Sequence, residues 1–122
     1  MGKQWMAAVA LVGAVLWGQL AQADTGAEMA GHCRAFLSEK LAPEQSYGAG
    51  KCFGLVYGVT DTLKTAHLVS PEAVSVCIPI EGFTMGQAAR ILLRYLDDHP
   101  ETLNESSSTL AIKAFRRAYP CK

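Results

Sequence analysis

Residues 50–67 read GKCFGLVYGVTDTLKTAH, and apolar side chains recur in this stretch at intervals of three and four residues. Such spacing places them on one face of a helix, which is typical of an amphipathic α-helix with one side in a core. The face consists of Cys52, Phe53, Val56, Val59, Leu63 and Ala66. The stretch therefore predicts a helix that ends near His67.

Three glycines, Gly50, Gly54 and Gly58, recur every four residues along this helix. Each lowers helix stability by about 1 kcal/mol relative to alanine, so a compensating interaction is expected. The simplest is a close-packing face, free of side chains, against which another helix of the same chain lies. The functional alternative is that this face binds a second copy of the protein or another partner.

The same periodicity on either side predicts three further helices. They cover residues 25–41, residues 85–98, and a stretch that begins between residues 101 and 105 and ends before Tyr119. Thr84 and Gln87 have the spacing of a capping box at the start of the third helix. The fold class is therefore all-α, a small four-helix or four-to-five-helix domain.

Two connections separate these helices. Residues 44–50 are polar and contain glycine, so they are expected to link the first two helices without regular structure. Residues 68–83 form a long irregular segment. Within it residues 74–80 have the composition of a short strand, but Pro71, Pro79 and Gly82 interrupt it and no other strand is predicted to pair with it.

The four cysteines are an even number in a short chain, which predicts two disulfides. Spacing alone leaves three pairings open. If the first two helices and the last two each form an antiparallel hairpin, the favoured pairs are Cys33 with Cys52 and Cys77 with Cys121. No two cysteines have the short spacing of a zinc motif, so zinc ranks below disulfides and we predict no metal and no other cofactor.

The N-terminus has the features of an export signal. Lys3 precedes an apolar run over residues 6–17, and Ala21-Gln22-Ala23 supplies the small residues of a cleavage site. Residues 1–23 are therefore expected to be a signal peptide that is removed. Residues 24–122 would then be a single domain in the periplasm, with no membrane segment after cleavage. An uncleaved membrane anchor is the alternative.

The predicted mature chain is nearly neutral, because without Lys3 it has 10 basic and 11 acidic residues. This balance gives no electrostatic reason to expect nucleic acid or anionic lipid as a partner. No pattern predicts an enzyme either. His32 adjoins Cys33, but neighbouring helical residues point in different directions, and a cysteine in a disulfide is not a nucleophile. His67 and His99 lie at predicted helix ends, where capping explains them.

Five short motifs follow one another in a set order along the chain. They are Lys51-Cys52-Phe53-Gly54-Leu55-Val56-Tyr57-Gly58 with Asp61, Cys77-Ile78-Pro79, Gln87, Tyr95-Leu96-Asp97-Asp98-His99-Pro100-Glu101, and Ala118-Tyr119-Pro120-Cys121. Together with Cys33 they extend over residues 33–121, and the combination resembles the Rap/Tai family of type VI secretion system amidase immunity proteins.

The resemblance implies a periplasmic helical protein, often a homodimer, that binds a peptidoglycan amidase effector and blocks its substrate groove sterically. The target amidases are papain-like peptidases with a Cys/His centre. Residues 68–83 are the best candidate for the blocking element, and Ser70, Glu72 and Glu81 are its predicted partner-binding residues. The alternative interpretation is an ordinary loop that covers the core with Val74, Val76 and Ile78.

Two other classes of function stay open on the sequence. One is a small periplasmic chaperone or stress protein that releases its fold at low pH, and the other is a subunit of an envelope complex with no toxin partner. The acidic residues lie mostly at helix ends and in loops, which disfavours the chaperone. The glycine face would be the docking surface of a subunit.

Overall fold

The computed structural model describes residues 23–122, and these form four α-helices with no strand among them. The helices are α1 (Gly26–Phe36), α2 (Ser46–Val69), α3 (Met85–Asp98) and α4 (Ser107–Ala118), with 3₁₀ turns at Pro43–Gln45 and Pro100–Thr102. The all-α prediction is confirmed. The predicted signal peptide lies, apart from Ala23, outside the described residues. Within residues 23–122 no helix has the length and apolar character needed to cross a bilayer.

Helix α1 begins at a capping box. The Thr25 hydroxyl accepts the Glu28 amide at 3.3 Å, and the Glu28 carboxylate accepts the Thr25 amide at 2.8 Å. The helix ends at Phe36, five residues before the predicted end. After it the Ser38 hydroxyl bonds the backbone of Lys40 at 3.1 and 3.3 Å, a local arrangement that competes with continuing the helix.

Helix α2 begins at Ser46, so the prediction of an irregular connection over residues 44–50 is wrong. The Gln45 side chain accepts the Ala42 amide at 3.2 Å and closes the turn that leads directly into the helix. The glycines at the start of α2 weaken it locally by about 1 kcal/mol each. The burial of Ala49 and Cys52 in the core offsets this, so the helix continues through them.

Helix α3 has the predicted bounds. Thr84 caps it by accepting the Gln87 amide at 3.1 Å, but the Gln87 side chain does not complete the box and instead donates to the Tyr119 hydroxyl at 3.2 Å. Helix α4 begins later than predicted, at Ser107 after the capping residue Ser106. The 3₁₀ turn Pro100–Thr102 precedes it. Pro100 has the backbone angle of a first helical position, but the chain changes direction after this single turn, so no α-helix begins there.

The core lies between α2 and the other three helices. Its largest fully buried side chains include Val56 on α2, Leu92 and Leu96 on α3, and Leu110 and Phe115 on α4. The N-terminal residues are held against the start of α4, where the Ser107 amide bonds the Asp24 carbonyl at 2.8 Å and the Gly26 amide bonds the Glu105 carbonyl at 3.0 Å.

The favoured disulfide pairing is confirmed. Cys33–Cys52 joins α1 to α2 and is fully buried. Cys77–Cys121 joins the segment between α2 and α3 to the C-terminus. One bridge therefore lies inside the core and the other near the surface.

The prediction that Gly50, Gly54 and Gly58 form an intramolecular close-packing face is wrong. A β-carbon placed on any of the three would meet no atom within 4 Å, and all three glycines are exposed. The reason is helical phase: Cys52 and Val56 face the core, and each following glycine, two positions later, lies about 200° round the helix. Close approach occurs instead at Gly48, against the His32 ring.

Candidate functional site

The predicted blocking element, residues 68–83, lies between α2 and α3. Helix α2 continues to Val69, two residues beyond its predicted end, so the irregular part covers residues 70–84, which we call the connecting segment. Ser70 is the C-terminal cap of α2, and its amide bonds the Ala66 carbonyl at 2.8 Å. A turn follows, in which the Ala73 amide bonds the Ser70 carbonyl at 3.1 Å. The structure places the predicted residues Ser70, Glu72 and Glu81 on the surface.

The connecting segment is anchored along its middle. Val76 and Ile78 are buried in the core, as the alternative interpretation expected. The Cys77 amide bonds the Tyr119 carbonyl at 2.8 Å, and the Cys121 amide bonds the Ser75 carbonyl at 3.3 Å. These bonds form one isolated antiparallel bridge and no strand. The segment therefore covers the core with its inward side chains and also presents its other side chains to solvent.

Three large apolar side chains in this segment or at the end of α2 are exposed, and the sequence analysis did not predict them as site residues. Leu68 is 73% exposed, Val69 81% and Ile80 79%. Leu68 and Ile80 line one shallow cavity of about 230 Å³ together with His67. Exposed apolar groups that lie close together are typical of interaction sites. The sequence did contain a signal for this exposure, because Leu68 and Val69 follow the last positions that fit the apolar spacing of the buried face of α2.

Among residues 23–122, the two acidic side chains of the connecting segment, Glu72 and Glu81, have no cationic partner. Neither Glu72 nor Glu81 forms an ion pair within 4.0 Å among residues 23–122, whereas Glu105 is paired with Lys113 at 2.6 Å. We call the set of Leu68, Val69, Ile80, Glu72 and Glu81 the segment surface. It combines aliphatic contact area with unpaired negative charge.

A second exposed face runs along α2 and contains the three glycines. Tyr47, Phe53 and Tyr57 flank them and are exposed. The Phe53 and Tyr57 rings stack with centroids 5.9 Å apart. We call these six residues the glycine face. Beside it lies a shallow, mostly apolar groove that includes Ile112 of α4.

One ion pair lies at the end of the glycine face. The Lys51 amine bonds the Asp24 carboxylate at 2.6 Å, and this hydrogen bond raises the pKa of Lys51 more than desolvation lowers it. Lys51 therefore stays cationic and bound to the N-terminal residues. His32 lies 3.8 Å from the same carboxylate.

The cysteine and histidine side chains that could in principle act as catalytic groups have structural contacts. Cys33 is in the buried disulfide beside His32. His99 caps α3: its Nδ1 lies 2.8 Å from the Tyr95 carbonyl, and its ring stacks on the Tyr95 ring with centroids 4.1 Å apart. His67 is brought against Cys77, with 3.7 Å between Nε2 and Sγ, a contact that the sequence reasoning did not foresee.

Comparison with known families decides the relationship. The model of the family described as Rap1a immunity proteins matches residues 25–121, which is nearly the whole described domain. The chain belongs to this family. Its members are immunity proteins, so membership indicates protection against a secreted toxin. No curated protein and no solved structure matches the chain significantly.

The motifs that carried the resemblance have structural roles in this Rap1a family member. Cys52 crosslinks the core, and Cys77-Ile78-Pro79 anchors the connecting segment through a disulfide and a buried side chain. Tyr95 and His99 close α3 by stacking and capping. The family motifs therefore define the scaffold.

Proposed function

We propose that the protein is exported to the periplasm and binds a peptidoglycan amidase delivered by a type VI secretion system, whose substrate groove it blocks sterically. The family match over residues 25–121 carries the proposal, since it makes the chain an immunity protein. The resemblance of the ordered motifs to amidase immunity proteins supports the class of toxin. The apparent export signal supports the compartment, where peptidoglycan is accessible.

The segment surface is the element we assign to the toxin. Blocking a groove requires a protruding element that is already ordered, because ordering it on binding would consume part of the binding free energy. The connecting segment is ordered before binding, since α2 holds its first end and the Cys77–Cys121 bridge and the Tyr119 carbonyl hold its middle. The exposed aliphatic side chains supply contact area, and the unpaired carboxylates favour a toxin with basic residues around its groove.

The direct experiment is capture of amidases by the tagged, oxidised protein. Each peptidoglycan amidase encoded in the same genome is tested for binding and for activity on purified cell wall. We expect nanomolar capture of one amidase with loss of its activity. Capture of none would contradict the proposal and favour an envelope chaperone or complex subunit.

Charge reversal tests the segment surface. In the variant Glu72→Lys/Glu81→Lys, we expect amidase binding to weaken tenfold or more, about 1.4 kcal/mol or above, because like charges would face each other across the interface. Isothermal titration calorimetry measures the dissociation constant. Glu39→Lys/Glu44→Lys is the matched control, since it changes the net charge equally at exposed positions between α1 and α2. Equal affinities of the two variants would rule out this surface.

We further propose that the protein is a homodimer that pairs through the glycine face. Glycines without neighbours allow two helices to approach closely, and the flanking aromatic rings would bury apolar area in the same contact. The face is exposed in the single chain, so a second copy is free to pack on it.

Gly54→Leu tests this dimer. Because a β-carbon at Gly54 meets no atom within 4 Å and the residue is exposed, the variant should fold normally and sediment as a monomer at concentrations where the unchanged protein is a dimer. Gly31→Leu is the control, since Gly31 also lies on an exposed helical surface with open space. Analytical ultracentrifugation gives the masses. A dimer that persists in Gly54→Leu would contradict the pairing through this face.

A further inference from the structure

Three potential metal ligands converge beside the connecting segment. His67 Nε2, Cys77 Sγ and Cys121 Sγ all lie within 4.8 Å of one another. His67 belongs to the last turns of α2, Cys77 to the connecting segment, and Cys121 to the C-terminus. Their convergence is a product of the tertiary structure, since Cys77 is 10 residues from His67 and 44 residues from Cys121 in the chain.

The His67 ring is oriented by its other nitrogen. Nδ1 lies 3.0 Å from the Val74 carbonyl, which can only accept a hydrogen bond, so in the neutral ring Nδ1 carries the hydrogen. Nε2 then directs its lone pair toward Cys77 Sγ at 3.7 Å. A disulfide sulfur has no hydrogen to offer, so the lone pair has no donor there. A carbonyl on the far nitrogen is also the usual outer contact of a histidine that ligates a metal.

We propose that reduction of the Cys77–Cys121 bridge creates a Zn²⁺ site made of these two thiolates and His67 Nε2. A dithiol reductant forms its own disulfide and transfers two electrons and two protons to the bridge, which gives two thiols. Zn²⁺ then binds both sulfurs and the imidazole and releases the two thiol protons. Water takes the fourth tetrahedral position, as in other three-ligand zinc sites.

The distances suit zinc. A nitrogen at about 2.1 Å and a sulfur at about 2.3 Å from a tetrahedral ion are about 3.6 Å apart, and the structure already has 3.7 Å between Nε2 and Cys77 Sγ. Two sulfurs on one ion are about 3.8 Å apart. The cysteine Cα atoms are 5.0 Å apart, so rotation of the two side chains provides this separation without movement of the backbone.

Backbone contacts hold the ligands in place when the bridge opens. The hydrogen bonds from the Cys77 amide to the Tyr119 carbonyl, at 2.8 Å, and from the Cys121 amide to the Ser75 carbonyl, at 3.3 Å, do not depend on the disulfide. The metal would then replace the bridge as the link between the connecting segment and the C-terminus. The segment surface would stay anchored under reducing conditions.

The two bridges differ in access, so one can be opened selectively. Cys33 and Cys52 are 0% exposed, whereas Cys77 lies at the surface. Thiol–disulfide exchange requires access to a sulfur, so a mild reductant reaches Cys77–Cys121 first. The core disulfide stays closed and the fold is preserved while the site forms.

The test uses Co²⁺ as a spectroscopic substitute for Zn²⁺. The purified protein is reduced mildly without oxygen, freed of reductant, and checked for two reactive thiols per native chain. We expect one Co²⁺ per chain, with sulfur-to-cobalt charge-transfer absorption and the visible bands of a tetrahedral ion, all removed by Zn²⁺, which binds such sites more tightly. The oxidised protein should show none of these bands.

Variants assign the ligands. His67→Gln should bind Co²⁺ at least tenfold more weakly, since even the loss of outer contacts weakens metal sites by about 10–100-fold. His32→Gln is the control and should bind normally. Nuclear magnetic resonance on the reduced, unaltered protein gives a readout independent of variant folding, because Zn²⁺ should shift the ring signals of His67 and leave those of His32 and His99. Absence of charge-transfer absorption, or unchanged binding by His67→Gln, would overturn the proposal.

Discussion

Replacing Phe115 by alanine is expected to lower the free energy of unfolding by about 3–5 kcal/mol. Phe115 is 0% exposed and lies on α4 in the core, so the loss of its ring removes buried apolar area and leaves a cavity. A domain of this size has a total stability of about 5–15 kcal/mol. The variant should therefore lose a large fraction of its stability, which chemical denaturation measures.

Phe53→Ala is the matched control. Phe53 is 44% exposed on α2, so removal of the same ring should lower the free energy of unfolding by about 1 kcal/mol or less, as is usual for surface substitutions. If the two variants had equal stability, the assignment of Phe115 to the core and of Phe53 to the surface would be wrong. Because Phe53 belongs to the glycine face, its replacement should also weaken self-association.

Removing the buried disulfide with Cys33→Ala/Cys52→Ala should lower the free energy of unfolding by about 5 kcal/mol, an effect comparable to that of Phe115→Ala. Closing a loop between residues 19 apart contributes about 3 kcal/mol through the entropy of the unfolded chain. The two missing sulfurs also leave space in the core, which adds about 1 kcal/mol for each group of that size. Thermal and chemical denaturation of the purified variant measure the loss.

Cys77→Ala/Cys121→Ala provides the comparison for this prediction. Its loop is longer, with residues 44 apart, so the entropic part alone is about 4 kcal/mol. No fully buried sulfur is lost there. Cys33→Ala/Cys52→Ala, which lacks the inner disulfide, should therefore be less stable than Cys77→Ala/Cys121→Ala, which lacks the outer one, although the inner disulfide closes the shorter loop. The opposite order would mean that loop entropy decides and that burial of Cys33 and Cys52 contributes little.

Removal of either disulfide should also affect the proposed inhibition of the toxin, but for different reasons. The inner disulfide and the core hold α1, α2 and α4 together, whereas the outer disulfide holds the connecting segment that carries the segment surface. Loss of the inner bridge should remove protection through unfolding. Loss of the outer bridge should leave the helices folded and weaken toxin binding, because the connecting segment, then held only by its backbone hydrogen bonds and buried side chains, would be less rigid before binding.

Local chemistry made parts of the fold predictable. Thr84 and the His99-Pro100 pair are start and stop signals that depend only on neighbouring residues, and α3 has the predicted bounds. The end of α1 was harder to predict, because the Ser38 hydroxyl bonds the backbone beyond the helix and the spacing of apolar residues does not reveal this bond. The predicted start of α2 was wrong because the low helix propensity of the local glycines is outweighed by the burial of Ala49 and Cys52 in the core.

The amino-acid sequence by itself determined the helical class, the presence of two disulfides and the family, because these follow from periodicity, cysteine parity and the order of short motifs. It favoured the disulfide pairing that the structure shows, but only on the assumption of two helical hairpins. Only the tertiary structure decided what each helix face meets. It turned Gly50, Gly54 and Gly58 toward solvent, left Leu68, Val69 and Ile80 exposed, and brought His67 against Cys77 and Cys121. The physical reason is that the packing of distant segments sets exposure and proximity, and this packing is not encoded in the neighbours of a residue along the chain.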